Sequence, residues 1–565
     1  MNETSNQIDS YLGVLARAEA QSGAAQWAAA VASWQQVVER NPVKGDHWAR
    51  LAEARFAVED YAGALTAYEK VEVLGVRPHD RPGAVFPGDQ PYLVTSEAMY
   101  WTACCHACLG DRERAIEALA RAIGKGFRDL DRARADDHLK SLRDDDRVRE
   151  LLGIIEVADL SRVDGWRADL RLLAREIKRR AYAPFAVISE EDFDRAVAGL
   201  DAEIPDTSDA QIMIAMMKLL RPLGDGHAFI LPPGDSEELG AALPVDFYLF
   251  AEGVFVVAAD QRYERLLGAR IDSIDGHPID EVLAAIDQVL SRDNDQQVKY
   301  FAPVWLRLVP FLHAMGLAAD PAEATLAVRF LDGSAGEVTV TGVPFDIWTT
   351  YPYPQGWVAL HDTLPSPPPL HLRHRDLAYW FDYLPAADLV YFQFNGVRDH
   401  PAETLAAFTD RLFAFIDSHR PGKLVIDMRW NGGGNTFLSQ PLIHHLISCP
   451  AVNRRGALFV ITGRLTFSAA QNTATTIERE TQAIFVGEPT GSRPNFIGET
   501  VPFQLPYSKV IANVADLYWQ TSWPMDSRPW IAPEIYAPPT FEAFRRNSDP
   551  AMEAILAIHE HLPNS

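Results

Sequence analysis

From residue 6 to residue 153 the apolar positions recur at helical spacing in a background of Ala, Leu, Glu and Arg, which predicts a run of amphipathic helices. The small residues repeat as well. Ala30, Trp34 and Val37 are matched by Ala64, Tyr68 and Val71, 34 positions further on. Trp48, Leu51 and Ala52 supply the early positions of the second unit, and a third unit with Ala103, Ala115, Leu119 and Ala122 starts 51 positions after the second. The extra length falls in Arg77–Val94, where Arg81-Pro82-Gly83 and Phe86-Pro87-Gly88 predict a loop. Helical patterning continues through Trp166–Met217, and Ser189 followed by acids predicts an N-cap within it. It stops at Leu223-Gly-Asp-Gly-His227, a tight turn that holds a histidine by backbone geometry.

Residues 241–345 alternate Val, Ile and Phe with polar positions between glycine turns, the pattern of strands. Four prolines in Thr363–Pro369 predict a stiff linker. Beyond it the order becomes α/β: a strand from Asp388 to Phe394, a helix over Pro401–His419, and a buried strand over Lys423–Arg429. That strand empties into Asn431-Gly-Gly-Gly434, which presents backbone N–H groups at the carboxyl edge of a sheet, where α/β sites are built. A second buried strand, Ala457–Ile461, leads through a turn into a small-residue helix that begins near Ser468. Free N–H groups at such a helix start favour a developing anion. Taken singly, each feature also has a structural reading: the serine as an N-cap, the histidine as a turn or core residue.

At 565 residues the chain is too long for one core, and its formal net charge of -25 argues against nucleic acid or an anionic membrane surface as partner. The first residues carry no basic and apolar leader pattern, and no run of about 18 apolar residues occurs, so no membrane span and a cytoplasmic location are expected. Of the four cysteines, Cys104, Cys105 and Cys108 cluster and Cys449 stands apart. No second Cys/His pair sits at zinc spacing from Cys105-x-x-Cys108, so buried packing is the expectation, with no metal and no cofactor. His371, His374, His444 and His445 have no acid at metal-ligand spacing and read as surface or packing residues.

Four segments carry a family likeness in their order: Leu223-Gly-Asp-Gly-His227, Asp427-Met-Arg429-Trp-Asn431-Gly-Gly-Gly434, Phe467-Ser468-Ala-Ala-Gln471 and Val486-Gly-Glu-Pro-Thr490-Gly491. Over residues 160–560 they resemble the tail-specific (C-terminal-processing) serine peptidases, a family that includes tricorn protease and retinoid-binding relatives. The 34-residue period in front resembles tetratricopeptide repeats, and Leu267–Ile279 resembles the strand–turn–strand end of a PDZ-like module. The resemblance implies a multidomain α+β chain: helical repeats over 1–158, a helical subdomain carrying His227 over 159–235, a β-rich, partly PDZ-like segment over 236–362, and an α/β core of the ClpP/crotonase-like kind over 363–565.

Many members of that family use a lysine base after the Gly-Glu-x-Thr-x-Gly signature. Here Arg493 stands in that place, and a guanidinium that stays protonated cannot act as a base. The resemblance is therefore to the tricorn-like, histidine-using branch. It implies Ser468 as nucleophile, His227 as a base poised near neutral pH, and Asp526 as the acid that orients it, with Glu488 and Glu499 as alternatives. It implies an oxyanion hole from the amides of Gly433 and Ala469. The implied activity is hydrolysis of peptides or unstructured protein tails. An esterase using the same serine, and a non-catalytic ligand- or protein-binding relative, are the alternatives. The repeats imply a surface for a protein partner and leave self-association open.

Overall fold

The computed structural model describes residues 2–76, 94–127, 129–154, 156–231, 240–344 and 352–558. The loop expected over Arg77–Val94 lies outside them except for Val94, which opens a helix. The chain divides into two compact units, Met1–Leu160 and Ser161–Ser565. The second unit spans the three segments expected after residue 158, and one of its sheets joins Phe229–Leu231 to strands beyond residue 494.

In the first unit the helices Asn2–Gly23, Trp27–Arg40, Gly45–Ala57, Tyr61–Leu74, Val94–Cys108 and Arg112–Gly124 pack each on the next. Helices starting at Trp27, Tyr61 and Arg112 keep the 34- and 51-residue offsets. Two of these starts are capped alike: the Asp60 side chain accepts from the Gly63 amide and that of Asp111 from the Arg114 amide, satisfying donors the helix cannot. Ala30, Ala64, Ala67 and Ala115 are fully buried at the crossings, where a small side chain lets backbones approach, while Trp34, Leu51, Tyr68 and Leu119 fill the space between. Cys104 and Cys105 are buried in this packing as free thiols.

The second unit is organised around a six-stranded sheet, in the order Tyr379–Leu384, Leu389–Phe394, Lys423–Asp427, Leu458–Thr462, Ile484–Gly487, Ile535–Tyr536. The first pair is antiparallel and the remaining pairs are parallel. Alternation sorts its side chains. Val390, Phe392, Ile426 and Val460 meet the helices Leu405–His419, Gln440–Ser448 and Ala469–Glu480, whereas Tyr391, Val425, Phe459 and Ile461 meet the helix Pro550–Leu556. A sheet buried on both faces needs apolar residues at nearly every position, which is why these strands read as continuous runs.

Two further parts set up the site. A three-stranded antiparallel sheet pairs Phe229–Leu231 with Ile511–Gln520 and that strand with Asn495–Gln504, joining segments nearly 300 positions apart in sequence. The helices Arg162–Arg180, Glu190–Glu203 and Asp209–Leu220 lead into it, and Ser189 caps the second by accepting from the Asp192 amide at 3.1 Å. A separate antiparallel sheet runs from Val245 to Ala359 and carries the helix Asp295–Trp305. No helix among the described residues is long and apolar enough to cross a membrane.

Two expectations change. The proline stretch is no free linker: Asn547 Nδ2 donates to Ser366 O at 2.7 Å and to His361 O at 2.8 Å, strapping it to the body. His371 is no surface or simple packing residue: it is buried, with Nδ1 2.9 Å from Asp549 Oδ2. Arg429 lies between Asp549 (3.0 Å) and Asp427 (2.9 Å), all within the sheet's carboxyl edge. Burial works to raise the Asp549 carboxyl, but the Arg429 guanidinium and His371 outweigh it and hold it well below the usual range. Sequence spacing could not reveal this, since the partners are 120 and 178 positions apart. Removing one partner strands a buried charge, so Asp549→Ala should destabilise the second unit by about 3–5 kcal/mol. Denaturant midpoints would measure it, and a change under about 1 kcal/mol would contradict the account.

Candidate active site

The carboxyl ends of the parallel strands deliver three loops to one place. After Lys423–Asp427 comes the run Asn431–Gly434; after Leu458–Thr462 comes the turn to Ser468; after Ile484–Gly487 comes Glu488–Arg493. The turn is stapled to the run: Phe467 N donates to Asn431 O at 3.1 Å, and Thr466 Oγ1 to Met428 O at 2.9 Å. It is stapled on its other side as well, where Gly491 N donates to Thr466 O at 3.0 Å.

Ser468 sits at the N-cap position of the helix Ala469–Glu480, yet its side chain makes no capping bond. Its backbone has φ 56° and ψ -124°, a region unfavourable for any residue with a Cβ. Strain of this kind costs roughly 1–3 kcal/mol and is held only where the surroundings over-determine it. The two staples supply that determination. The result turns Oγ away from the helix amides and towards His227, whose Nε2 lies 3.1 Å away.

His227 arrives from the opposite side, just before the strand Phe229–Leu231. Its turn is fixed by Asp225, which is buried and accepts from the His227 amide at 2.8 Å and from the Ala515 amide at 2.9 Å. Burial pushes the Asp225 carboxyl up to about 7 against these bonds. The imidazole lies between the rings of Phe467 (centroids 4.4 Å apart) and Phe496 (5.6 Å). Burial lowers its pKa to about 4, with the Ile497 carbonyl acting in the opposite direction. That carbonyl lies 3.1 Å from Nδ1. A carbonyl can only accept, so Nδ1 carries the proton and Nε2 keeps its lone pair for the serine hydroxyl.

Ser468 and His227 are thus brought together, and Asp526 is not brought to the ring. Its carboxylate accepts from Ser522 Oγ at 2.6 Å and pairs with Arg528 at 2.8 Å, and these partners hold its pKa well below the usual range. A backbone carbonyl occupies the place expected for the acid. Of the alternatives, Glu488 is committed to Arg464 at 2.6 Å. Glu499 has φ 71° at an irregular point of its strand, two residues past Ile497. Arg493 donates through Nε to the Asp293 carbonyl at 3.0 Å, a structural bond.

Gly433 packs directly on the serine: a Cβ there would lie 2.7 Å from Ser468 Cβ and 3.0 Å from the Ala469 amide nitrogen, and its φ is 111°. Its own amide donates to Asn431 Oδ1 at 3.0 Å. The amide expected in an oxyanion hole is therefore engaged within its own loop in this state, while Ala469 N heads the helix that Ser468 precedes. Sequence reasoning missed Asp225, Asn431 and Ile497 as site parts. Asp225 and Asn431 lay inside motifs already singled out, but a main-chain carbonyl leaves no residue-type signal at all. No cluster of His, Cys, Asp or Glu among the described residues could hold a metal ion.

No family model matches the sequence, and the search of curated proteins gives no match. Among solved structures the chain is similar to mature CPAF complexed with lactacystin, at 15% identity over 70% of this chain and 97% of that one, with a TM-score of 0.49. It is similar to the photosystem II D1 C-terminal processing protease, at 14% identity over 68% and 98%, with a TM-score of 0.33. A third is tricorn protease, at 13% identity over 70% of this chain and 36% of that one, with a TM-score of 0.35. Likeness at this level assigns no chemistry to this chain.

Gly433→Ala should disable the site, because the methyl has no room and φ 111° is costly for it. Labelling of Ser468 by a fluorophosphonate should slow at least about 100-fold, the scale of an ångström's misplacement. Labelling within about two-fold of wild type would contradict the packing described.

Proposed function

We propose that the second unit is a serine hydrolase that cleaves peptide bonds, of the tail-specific kind and its histidine-using branch. The observation that carries the reading is the 3.1 Å approach of His227 Nε2 to a Ser468 hydroxyl that does not cap its helix. The strained backbone of Ser468 supports it, since such strain gathers at functional residues.

In the proposed reaction Ser468 Oγ attacks the substrate carbonyl carbon while its proton passes to His227 Nε2. The carbonyl π electrons move to oxygen, where the Ala469 amide and an amide of the glycine run receive the charge. For Gly433 to take part, its N–H exchanges Asn431 Oδ1 for the oxyanion. Collapse expels the amine, which takes the proton from His227, and leaves an acyl group on Ser468. Water then attacks the acyl carbon as one of its protons passes to His227; collapse breaks the Ser468 Oγ–acyl bond, His227 returns the proton to Oγ, and the acid leaves. His227 is suited to this as a neutral base, because burial keeps it unprotonated throughout the neutral range. The Ile497 carbonyl orients it in place of a carboxylate. Peptides or unfolded protein tails are the proposed substrates, with the first unit's stacked helices as a surface for a protein partner.

A second reading, a binding protein that does no chemistry, draws on the engaged Gly433 amide. Reactivity separates the two. Ser468→Ala should fold as wild type does and lose about 10³-fold or more in turnover, and His227→Ala should fall to a similar level. The check is fluorophosphonate labelling of the full chain with peptide hydrolysis measured alongside. An unlabelled wild type would favour the binding reading, and near-normal hydrolysis by Ser468→Ala would remove the proposed nucleophile.

A further inference from the structure

One buried side chain joins the two arms that carry the serine and the histidine. Asp293 precedes the helix Asp295–Trp305 and is only 4% exposed. Its Oδ1 accepts from the Gly226 amide at 2.9 Å, next to His227. Its Oδ2 accepts from the hydroxyl of Ser492, which is fully buried in the loop after Ile484–Gly487. That loop is the one whose Gly491 amide staples Thr466, two residues before Ser468. A single carboxylate therefore ties the base's turn through one oxygen and the nucleophile's buttress through the other.

Neighbouring bonds reinforce the tie. Gln297 Oε1 accepts from the Asp293 amide at 2.9 Å, and Gln297 Nε2 donates to Gly226 O at 2.8 Å, so both the N–H and the C=O of Gly226 are held. Asn294 Nδ2 donates to Thr490 O at 3.1 Å and to Pro529 O at 2.7 Å. The approach is close: a Cβ on Gly226 would meet Gln297 Oε1 at 2.6 Å and Asp293 Oδ1 at 2.8 Å, so a side chain there would push these groups from their bonds.

We propose that Asp293 is a positioning residue that sets the separation of His227 Nε2 from Ser468 Oγ by bridging the Gly226 amide and the Ser492 hydroxyl. The proposal rests on the reading of Ser468 and His227 as a reacting pair. Asp293 bonds to neither the His227 ring nor the Ser468 hydroxyl, so it acts on the rate of the chemical step and leaves ligand binding alone. Its peptide segment also explains the arginine at 493, whose Nε donates to Asp293 O and secures the same junction.

The test is saturation kinetics of a fluorophosphonate on the full chain, which separates the maximal inactivation rate from the half-saturating concentration. Asp293→Ala should lower the maximal rate roughly 10- to 100-fold, with half-saturation within about two-fold of wild type. Asp293→Asn should recover to within about five-fold, because its carbonyl still accepts from Gly226 and its amide can donate to Ser492 Oγ. Ser492→Ala, which cuts one arm only, should fall between them. Should Asp293→Ala fail to fold, Gly226→Ala carries the same test and the same expected loss of maximal rate. A folded Asp293→Ala or Gly226→Ala that reacts at the wild-type rate would overturn the positioning role while leaving the pair intact, as would Asp293→Asn as slow as Asp293→Ala. A wild type that does not react, and is indistinguishable from His227→Ala, would remove the pair and the proposal with it.

Discussion

The chain leaving the strand Leu458–Thr462 must reverse into the helix Ala469–Glu480 within six residues, and it does so by forcing Ser468 into a backbone conformation with positive φ. The bonds on this turn hold that reversal. Thr466 is bonded on one side to Met428 and on the other to Gly491, Phe467 is bonded to Asn431, and the bare backbone of Gly433 lies where any side chain would collide with Ser468. A relaxed serine at a helix start would turn its hydroxyl back onto the helix amides as a cap. The strained one cannot, and the hydroxyl is left to the imidazole. The cost, roughly 1–3 kcal/mol, is small beside the burial of the sheet beneath it.

The second constraint is electrostatic. His227 is buried between two phenylalanine rings with a carbonyl, and no carboxylate, on its Nδ1. Burial disfavours the imidazolium, so the ring waits as a neutral acceptor. A carbonyl dipole stabilises a developing imidazolium less than a full negative charge would. The two acids nearest the histidine's turn, Asp225 and Asp293, are spent on backbone amides and a hydroxyl; they fix where the ring stands and do not face it.

Much of this was legible in the sequence, for identifiable reasons. The helical front end follows from Ala30, Ala64 and their partners, because helices that cross closely need small residues at fixed intervals. The parallel sheet follows from Lys423–Asp427 and Ala457–Ile461, because strands covered on both faces must be apolar throughout. Ser468 and His227 stood out only when four segments in order were read together as a family likeness, since each residue taken singly has a structural reading as a cap or a core histidine. Illegible were the contacts that no residue type announces. Asp526 has the right chemistry and order but is claimed by Ser522 and Arg528, only four and two positions away. The carbonyl that takes its place belongs to an isoleucine. Asp293 lies 67 positions from Gly226 and 199 from Ser492, a junction that only the folded chain makes.

If His227 is a neutral base held against Ser468, its own titration must show it. Nitrogen-15 NMR of histidine-labelled protein, assigned with His227→Ala, would follow the ring's ionisation. The expected pKa is about 4, with the proton on Nδ1 above it. A rise of several units is expected when a peptidyl trifluoromethyl ketone forms a charged adduct on Ser468. A pKa near the ordinary 6.5 that the adduct leaves unmoved would contradict it.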